Sequence, residues 1–366
     1  MAGRPRVNSV AVELTAYCNQ KCSYCYNPWR EDGGAQMGAP DGSTLLARVD
    51  KVLAQLDVDH FTLTGGEPFA HKDVFALIER IRAAGVGVQM ISNGGLIDDA
   101  LAARLARYDL SYVQVTLNGP DAKLHGEHVG PGDHFARTLD GVAALRKHGV
   151  PVVGCVVVTR KNAHRVGETL ALWKSLGVRQ ISLSRFSPAG YAAQQVAELL
   201  CSRDDLTTAF EQAAHFAREG MQLIVTMPVP PCAVEVERFP ELKFGTCAVG
   251  TEFQEFALGP DGRLKNCTLH STAIGGVRDV LDPRVDLAQL IGAKEVTAYK
   301  KTTPAFCRGC EHEHTCAGGC GAAAEWISGD ARAFPDPFVW QHIDDGLGAT
   351  LAAARRPTEF RLQVLA

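Results

Sequence analysis

Apolar and polar positions along the chain fall into two alternating periods. Runs that alternate every second residue, or are apolar throughout, stand at 10–15, 60–64, 86–92, 111–117, 150–159, 178–184 and 221–227. Between them, apolar residues recur three and four apart at 44–55, 71–84, 97–107, 134–148, 164–176 and 204–219. The first kind reads as strands and the second as helices with one buried face, the 44–55 helix opening on a Ser/Thr cap. Strands separated by helices of that length pair in parallel through right-handed crossovers. Six such units after the first strand do not close an eight-fold barrel. The fold class is therefore α/β, with a partial (βα)6 TIM-like barrel or, as the alternative, a doubly wound open sheet. In both, function gathers at the carboxyl ends of the strands.

Composition changes this picture little, apart from the cysteines. The 366 residues are 46% hydrophobic and 21% charged, as in an ordinary globular protein, and the net charge of −4 argues against a nucleic-acid surface. No apolar run is long enough to cross a bilayer, and Glu13 interrupts the N-terminal apolar run before a signal sequence forms. A cytoplasmic protein without partners in membrane or nucleic acid is expected. Twelve cysteines are then better read as metal ligands than as disulfides. Cys155, within VVGCVVV, and Cys201, after AELL, read as packed thiols.

Three cysteines follow the first strand: Cys18, Cys22 and Cys25, spaced C-x3-C-x2-C, with Tyr24 before the third. Three thiolates on one loop suit three corners of a 4Fe–4S cluster and leave the fourth iron open. Zinc, or three unrelated thiols, is the competing reading, although zinc favours C-x2-C spacing and a fourth ligand nearby. Thr64-Gly65-Gly66-Glu67-Pro68 ends the second strand, and Ser92-Asn93-Gly94 the third. Glycines permit close backbone approach to a ligand, and Glu67 can receive an ammonium group. Either motif alone is also an ordinary turn. Glu13 and Thr15 share a face of the first strand, where an acid can position substrate or pair with a buried cation. Residues 27–43, rich in Gly, Pro and charge, read as a loop beside this region.

The cysteine loop resembles the signature of the radical S-adenosylmethionine (SAM) superfamily. The resemblance implies that SAM chelates the open iron and is cleaved by one electron, and that the 5′-deoxyadenosyl radical takes a hydrogen from substrate. It also implies cofactor contacts. Tyr24 belongs to the loop, Gly65, Gly66, Glu67 and Pro68 form the segment for the SAM amino group, and Ser92 and Asn93 hold the ribose. Thr116 and Asn118 lie in VTLNG, where many relatives carry Ser-Leu-Asp-Gly, with His125 following. Asn118 in place of Asp removes any general-base role and leaves a polar contact. Arg185, just past the sixth strand, is placed to meet the SAM carboxylate.

Prolines at 228, 230, 231 and 240 mark a boundary, beyond which a second cysteine field begins. Cys247, Gly262 and Cys267 read C-x14-G-x4-C, and Cys307, Cys310, Cys316 and Cys320 read C-x2-C-x5-C-x3-C. Zinc again competes on spacing. The array resembles the auxiliary-cluster extension called SPASM. That resemblance implies one or two auxiliary iron–sulfur clusters, one held by Cys247, Cys267 and Cys320, with Cys232 as candidate fourth ligand. The other would take Cys307, Cys310 and Cys316, with Asp330, Asp336, His342 or an open iron completing it. The expected plan is a radical SAM barrel over 1–228, a small cysteine-rich SPASM domain over 229–325, and a tail over 326–366 packing back on the barrel through Phe334, Phe338 and Trp340.

The plan is similar to that of peptide-modifying maturases of the family, including the pyrroloquinoline quinone synthesis type. It implies hydrogen abstraction from a ribosomally made peptide, giving a crosslink, rearrangement or excision. A separate small recognition protein would present the peptide, and a flavodoxin or ferredoxin would supply electrons. Two rivals stand beside it: maturation of a sulfatase or oxidation of a haem side chain, and a non-catalytic metal-binding scaffold.

Overall fold

The structure is a computed structural model that describes residues 3–30, 39–299, 303–330 and 334–340. Seven strands run parallel and in chain order: β1 (Arg6–Glu13), β2 (Asp57–Thr64), β3 (Gly87–Ser92), β4 (Tyr112–Thr116), β5 (Val152–Val158), β6 (Gln180–Arg185) and β7 (Gln222–Val225). Helices connect them: α1 (Gly42–Gln55), α2 (Val74–Ala83), α3 (Asp99–Leu105), α4 (Ala122–Val129), α5 (His134–Lys147), α6 (Val166–Ser175), α7 (Val196–Leu199) and α8 (Arg203–Arg218). The sheet stays open, as the expected partial barrel requires.

Local sequence explains the elements. Leu45, Val49, Val52 and Leu53 recur along one face of α1 and are buried. Its N-cap is Asp41, whose Oδ1 accepts from Thr44 N at 2.7 Å, rather than the Ser or Thr that follows. Ser202 and Asp205 close a reciprocal capping box at the start of α8, a device worth about 1 kcal/mol. Helix α4 has no clear helical period in the sequence, because its two histidines and Gly126 blur it. It starts at Asp121, whose side chain accepts from Leu124 N at 2.9 Å.

The two faces of the sheet differ chemically. Val10, Val12, Phe61, Leu63, Val88, Met90, Val113 and Val115 join the apolar core beneath the helices. The alternate positions, among them Thr62, Gln89, Gln114, Ser182 and Thr226, line a lumen of about 1250 Å³. A parallel strand buried on both faces reads as continuously apolar, so polar alternation in these strands marks a cavity.

Residues past 228 extend the same sheet. Strand β8 (Lys243–Phe244) pairs with β7, β9 (Glu255–Leu258) pairs in parallel with β1, and β10 (Leu264–Lys265) pairs antiparallel with β9. The final order is β10-β9-β1-β2-β3-β4-β5-β6-β7-β8. The tail seats Phe338 in the apolar core. Residues 31–38 of the expected loop, and His342 with the rest of 341–366, lie outside the described residues.

Candidate active site

The first cysteine loop is built by backbone contacts at the carboxyl end of the sheet. The chain leaving β1 continues the ladder with β2: Leu14 N donates to Thr64 O at 2.9 Å, Gly66 N to Thr15 O at 2.6 Å and Glu67 N to Tyr17 O at 2.8 Å. These contacts require the glycines. A Cβ on Gly66 would stand 1.9 Å from Tyr17 O, and one on Gly65, at φ +133°, would stand 2.7 Å from Thr15 O. The close approach expected toward a ligand is thus made first toward the protein's own cysteine loop. The other side of the loop rests on α4, where Lys21 N donates to Val129 O at 3.0 Å and Ser23 N to His128 O at 2.8 Å.

Cys18, Cys22 and Cys25 consequently face one cleft of about 880 Å³, together with Tyr24, Gly65, Gly66, Ser92, Asn93 and Thr116. Burial pushes their thiols up, Cys25 to about 11, Cys18 to about 12 and Cys22 further still. Such groups ionise readily only against a cation, and the Arg30 guanidinium favours the thiolates of Cys22 and Cys25. A positively charged iron centre meets that requirement. Among the described residues no three His, Cys, Asp or Glu side chains converge on a point to hold a single metal ion; these thiols stand around the cleft.

Glu67 works behind the cleft wall. It is fully buried; one carboxylate oxygen accepts from Ser92 Oγ at 2.8 Å and the other from Asn93 N at 2.9 Å. Burial raises its pKa to about 7, against the pull of those bonds. It clamps the 92–93 turn to the 65–67 turn, and buried Pro68 begins the 3-10 turn behind it. Asn93 Nδ2 then donates to Asn19 Oδ1 at 2.7 Å, tying the turn to the cysteine loop.

The cleft offers unsatisfied polar atoms that the sequence motifs did not single out. Among the described residues, Gln20 Nε2, Asn27 Oδ1, Trp29 Nε1 and Arg30 Nε are buried without a hydrogen-bond partner, and all four residues line the cleft. Buried polar groups are normally satisfied, so such a set points to a polar ligand. Three soft sulfur donors beside these groups fit a 4Fe–4S cluster and SAM, whose carboxylate, ammonium and ribose need polar partners. The only sequence signal for Trp29 and Arg30 was their closeness to Cys25.

Three candidate residues are engaged by the protein itself. Asn118 is fully buried and braces β4 against β5, its Oδ1 accepting from Val157 N at 2.8 Å and its carbonyl from Asn162 Nδ2 at 2.9 Å. Arg185 lines the lumen, but its guanidinium is engaged by Asp336, the Pro228 carbonyl and the Phe186 carbonyl. Glu13 pairs with Lys265 of β10 at 3.1 Å, both buried, which is the structural option left open for an inward acid. His125 is fully buried, with its pKa lowered to about 4 by burial. Cys155 and Cys201 are buried, Cys155 on the lumen wall.

The remaining cysteines sort into two sets. Cys232, Cys307, Cys310 and Cys316 line one cavity of about 820 Å³. Cys267, Cys247 and Cys320 stand near enough that the charge of one raises another's thiol pKa, after burial. Cys232, expected beside Cys247, thus joins the other set, because the turn at Pro230 and Pro231 delivers it there. Asp336, an expected substitute ligand, is used instead by Arg185 and by Cys320 N at 2.9 Å. Asp330 lines a different pocket, with Tyr299 and His270.

Residues 12–172 match the family model described as the radical SAM superfamily. The chain carries a radical SAM domain. The matched range runs from the end of β1 into α6 and holds the whole cysteine-loop cleft. Over 352 residues the chain is 26% identical to a protein named PqqA peptide cyclase of Rhodopseudomonas palustris, covering 94% of this chain and 90% of that protein. A protein of the same name from Methylocella silvestris is 27% identical over 358 residues, covering 96% and 92%. Among solved structures, native anSMEcpe with bound AdoMet and Cp18Cys peptide matches with a TM-score of 0.68 at 16% identity, covering 96% and 99% of the two chains. Streptococcus suis SuiB bound to precursor peptide SuiA matches with a TM-score of 0.70 at 17% identity, covering 91% and 75%. At these identities the structural likeness shows a shared fold. The fold class expected from the sequence, an α/β parallel sheet followed by a cysteine-rich region, is the one observed.

Proposed function

We propose that the chain is a radical SAM peptide maturase, which removes a hydrogen atom from an unactivated carbon of a peptide. The altered peptide then gains a crosslink, rearranges or is excised. One observation carries this reading: the cysteine cleft and the barrel lumen share Tyr24, Tyr26, Thr64, Ile91 and Thr116 as a common wall. A substrate group in the lumen therefore lies next to the cofactor cleft. When bound, the cluster and SAM supply one-electron cleavage of a sulfonium and, through it, hydrogen-atom abstraction. The protein's residues do the rest. Cys18, Cys22 and Cys25 hold iron, and Gln20, Asn27, Trp29 and Arg30 offer polar contacts to SAM. Gly65, Gly66, Ser92 and Asn93 shape the wall, and buried Glu67 keeps it in place.

The two cysteine sets past 228 are read as auxiliary iron–sulfur sites in a SPASM region over 229–325. The relatives named PqqA peptide cyclase support a peptide as substrate. The reading includes a separate small recognition protein that presents the peptide, a flavodoxin or ferredoxin as electron donor, and a cytoplasmic location. Among the described residues no helix is long and apolar enough to cross a membrane. Anaerobic reconstitution with iron and sulfide, then SAM and dithionite, should release 5′-deoxyadenosine and change the mass of a candidate peptide. Full cluster loading without 5′-deoxyadenosine would overturn the reading.

A further inference from the structure

Among the described residues, the lumen beside the cofactor cleft is lined by two charged side chains, Arg185 and Glu255. Arg185 is already engaged: its guanidinium pairs with Asp336 and donates to the Pro228 and Phe186 carbonyls. Glu255 has no counter-ion. Its Oε2 accepts from Ser9 Oγ at 2.7 Å and from Thr62 Oγ1 at 2.6 Å. Among the described residues no cation pairs with this carboxylate, and Oε1 receives no hydrogen bond. A carboxylate offers about four acceptor positions, so half of its capacity is unused.

Four adjacent strands aim the group. Glu255 of β9 stands opposite Ser9 of β1 in the ladder, and Thr62 comes from β2. Gln89 Nε2 of β3 donates to Thr62 Oγ1 at 2.7 Å, which leaves the Thr62 proton for Glu255. With Oε2 fixed in this way, Oε1 is free for an occupant of the lumen. Register sets the depth. Thr62 lies two residues before Thr64, which belongs to the wall shared with the cofactor cleft. The acid is therefore anchored about 7 Å beneath that wall, one layer of side chains down. Tyr24, Tyr26 and Tyr112 line the same lumen. Aromatic faces cover an aliphatic stem and attract a cation at its end. One uncompensated negative charge among such walls complements a basic side chain and repels an acidic one.

We propose that Glu255 is a specificity-determining residue, which receives the lysine or arginine side chain of the peptide segment seated in the lumen. The inference rests on the reading of the lumen as the peptide site. A salt bridge from the lumen floor holds that side chain by its charged tip, so the segment is fixed in depth relative to the cofactor cleft. A peptide offering glutamate at this position meets like charge and is rejected.

The test uses the full chain, reconstituted anaerobically and loaded with SAM without reductant. Binding of four probes is measured by equilibrium dialysis: the N-acetyl methylamides of lysine, arginine, norleucine and glutamate. These are small enough to enter the lumen without a presenting protein. Lysine or arginine should bind about 10- to 100-fold tighter than uncharged norleucine, and glutamate weakest. Glu255→Gln should bring the basic probes to the norleucine value. Glu255→Asp keeps the charge and should keep the discrimination, which separates loss of charge from misfolding. Glu255→Lys should favour the glutamate probe. Equal binding of basic and uncharged probes, no binding of any, or loss of all four together in Glu255→Gln overturns the proposal and leaves the radical reading standing. Release of 5′-deoxyadenosine on adding dithionite to the same samples tests that reading separately. Its absence at full cluster loading overturns the reading, and the proposal with it.

Discussion

Arg185 and Asp336 form an ion pair from which water is excluded, with side chains 1% and 0% exposed. The pair joins the end of β6 to the C-terminal segment, 151 residues later. The carboxylate also receives Cys320 N and Phe338 N, each at 2.9 Å. Removing one partner of a buried pair strands the other charge, at about 3–5 kcal/mol. Asp336→Ala should lower unfolding free energy by that order in urea titrations of the iron-free protein. An Arg185→Leu/Asp336→Leu double variant should recover most of the loss. If the single variant unfolds with the wild-type midpoint, the pair is not holding the tail.

Glu67 gives the iron-free protein a pH signature. Its folded pKa of about 7 lies above the unfolded value near 4.3, so the native state binds more protons between those limits. The stability linked to its neutral form is complete below the unfolded value and is lost as pH rises through about 7. Glu67→Gln stays neutral at every pH. Between pH 5 and 8 the wild type should therefore lose about 3 kcal/mol relative to Glu67→Gln. Parallel pH profiles of the two proteins would show that Glu67 ionises normally in the fold.

Two glycines should respond in opposite directions to alanine. At Gly66 the new Cβ would meet the Tyr17 carbonyl oxygen at 1.9 Å, so the junction between β2 and the cysteine loop must open. Gly66→Ala should abolish SAM cleavage and destabilise by a few kcal/mol. In α4 a Cβ on Gly126 meets nothing within 4 Å. Gly126→Ala should stabilise the protein by about 0.5–1 kcal/mol with cleavage unchanged. Thermal unfolding and 5′-deoxyadenosine assays check both.

The placement of Cys232 predicts which cluster it serves. Cys232→Ala and Cys310→Ala should each remove the same iron, and the double variant should remove no more than either alone. Cys232→Ala combined with Cys247→Ala should remove roughly twice as much, because two sets are then broken. Iron and sulfide analysis with EPR of the reduced proteins distinguishes these patterns.

The strand and helix order was legible because burial imposes local periods, two along the strands and near 3.6 along α1 and α8. The cysteine loop and the turns at Gly65–Glu67 and Ser92–Asn93 were legible because each is contiguous in the chain. Partners brought together by the fold were not. Nothing near Arg185 announces Asp336, and nothing near Glu13 announces Lys265, which reaches it only because β9 and β10 extend the sheet beside β1. Motif position assigns Glu67 and Asn118 to the cofactor, yet local geometry turns both into the protein, where they brace the site. Spacing could count the thiols past 228, but only the course of the chain through Pro230 and Pro231 decides which set Cys232 joins.

The pairing of β9 with β1 has a mechanical result. Val10, Ala11 and Val12 are bonded on one side to Phe61, Thr62 and Leu63 and on the other to Phe256, Ala257 and Leu258. The stretch that leads into Cys18 and the stretch that leads into Cys267 are rungs of one ladder. Peptide entry that swung these halves apart like a jaw would have to unzip it, so admission must come from smaller movements at the rim. Amide exchange at Val10–Val12 should stay slow throughout turnover; faster exchange on adding substrate would reveal a jaw after all.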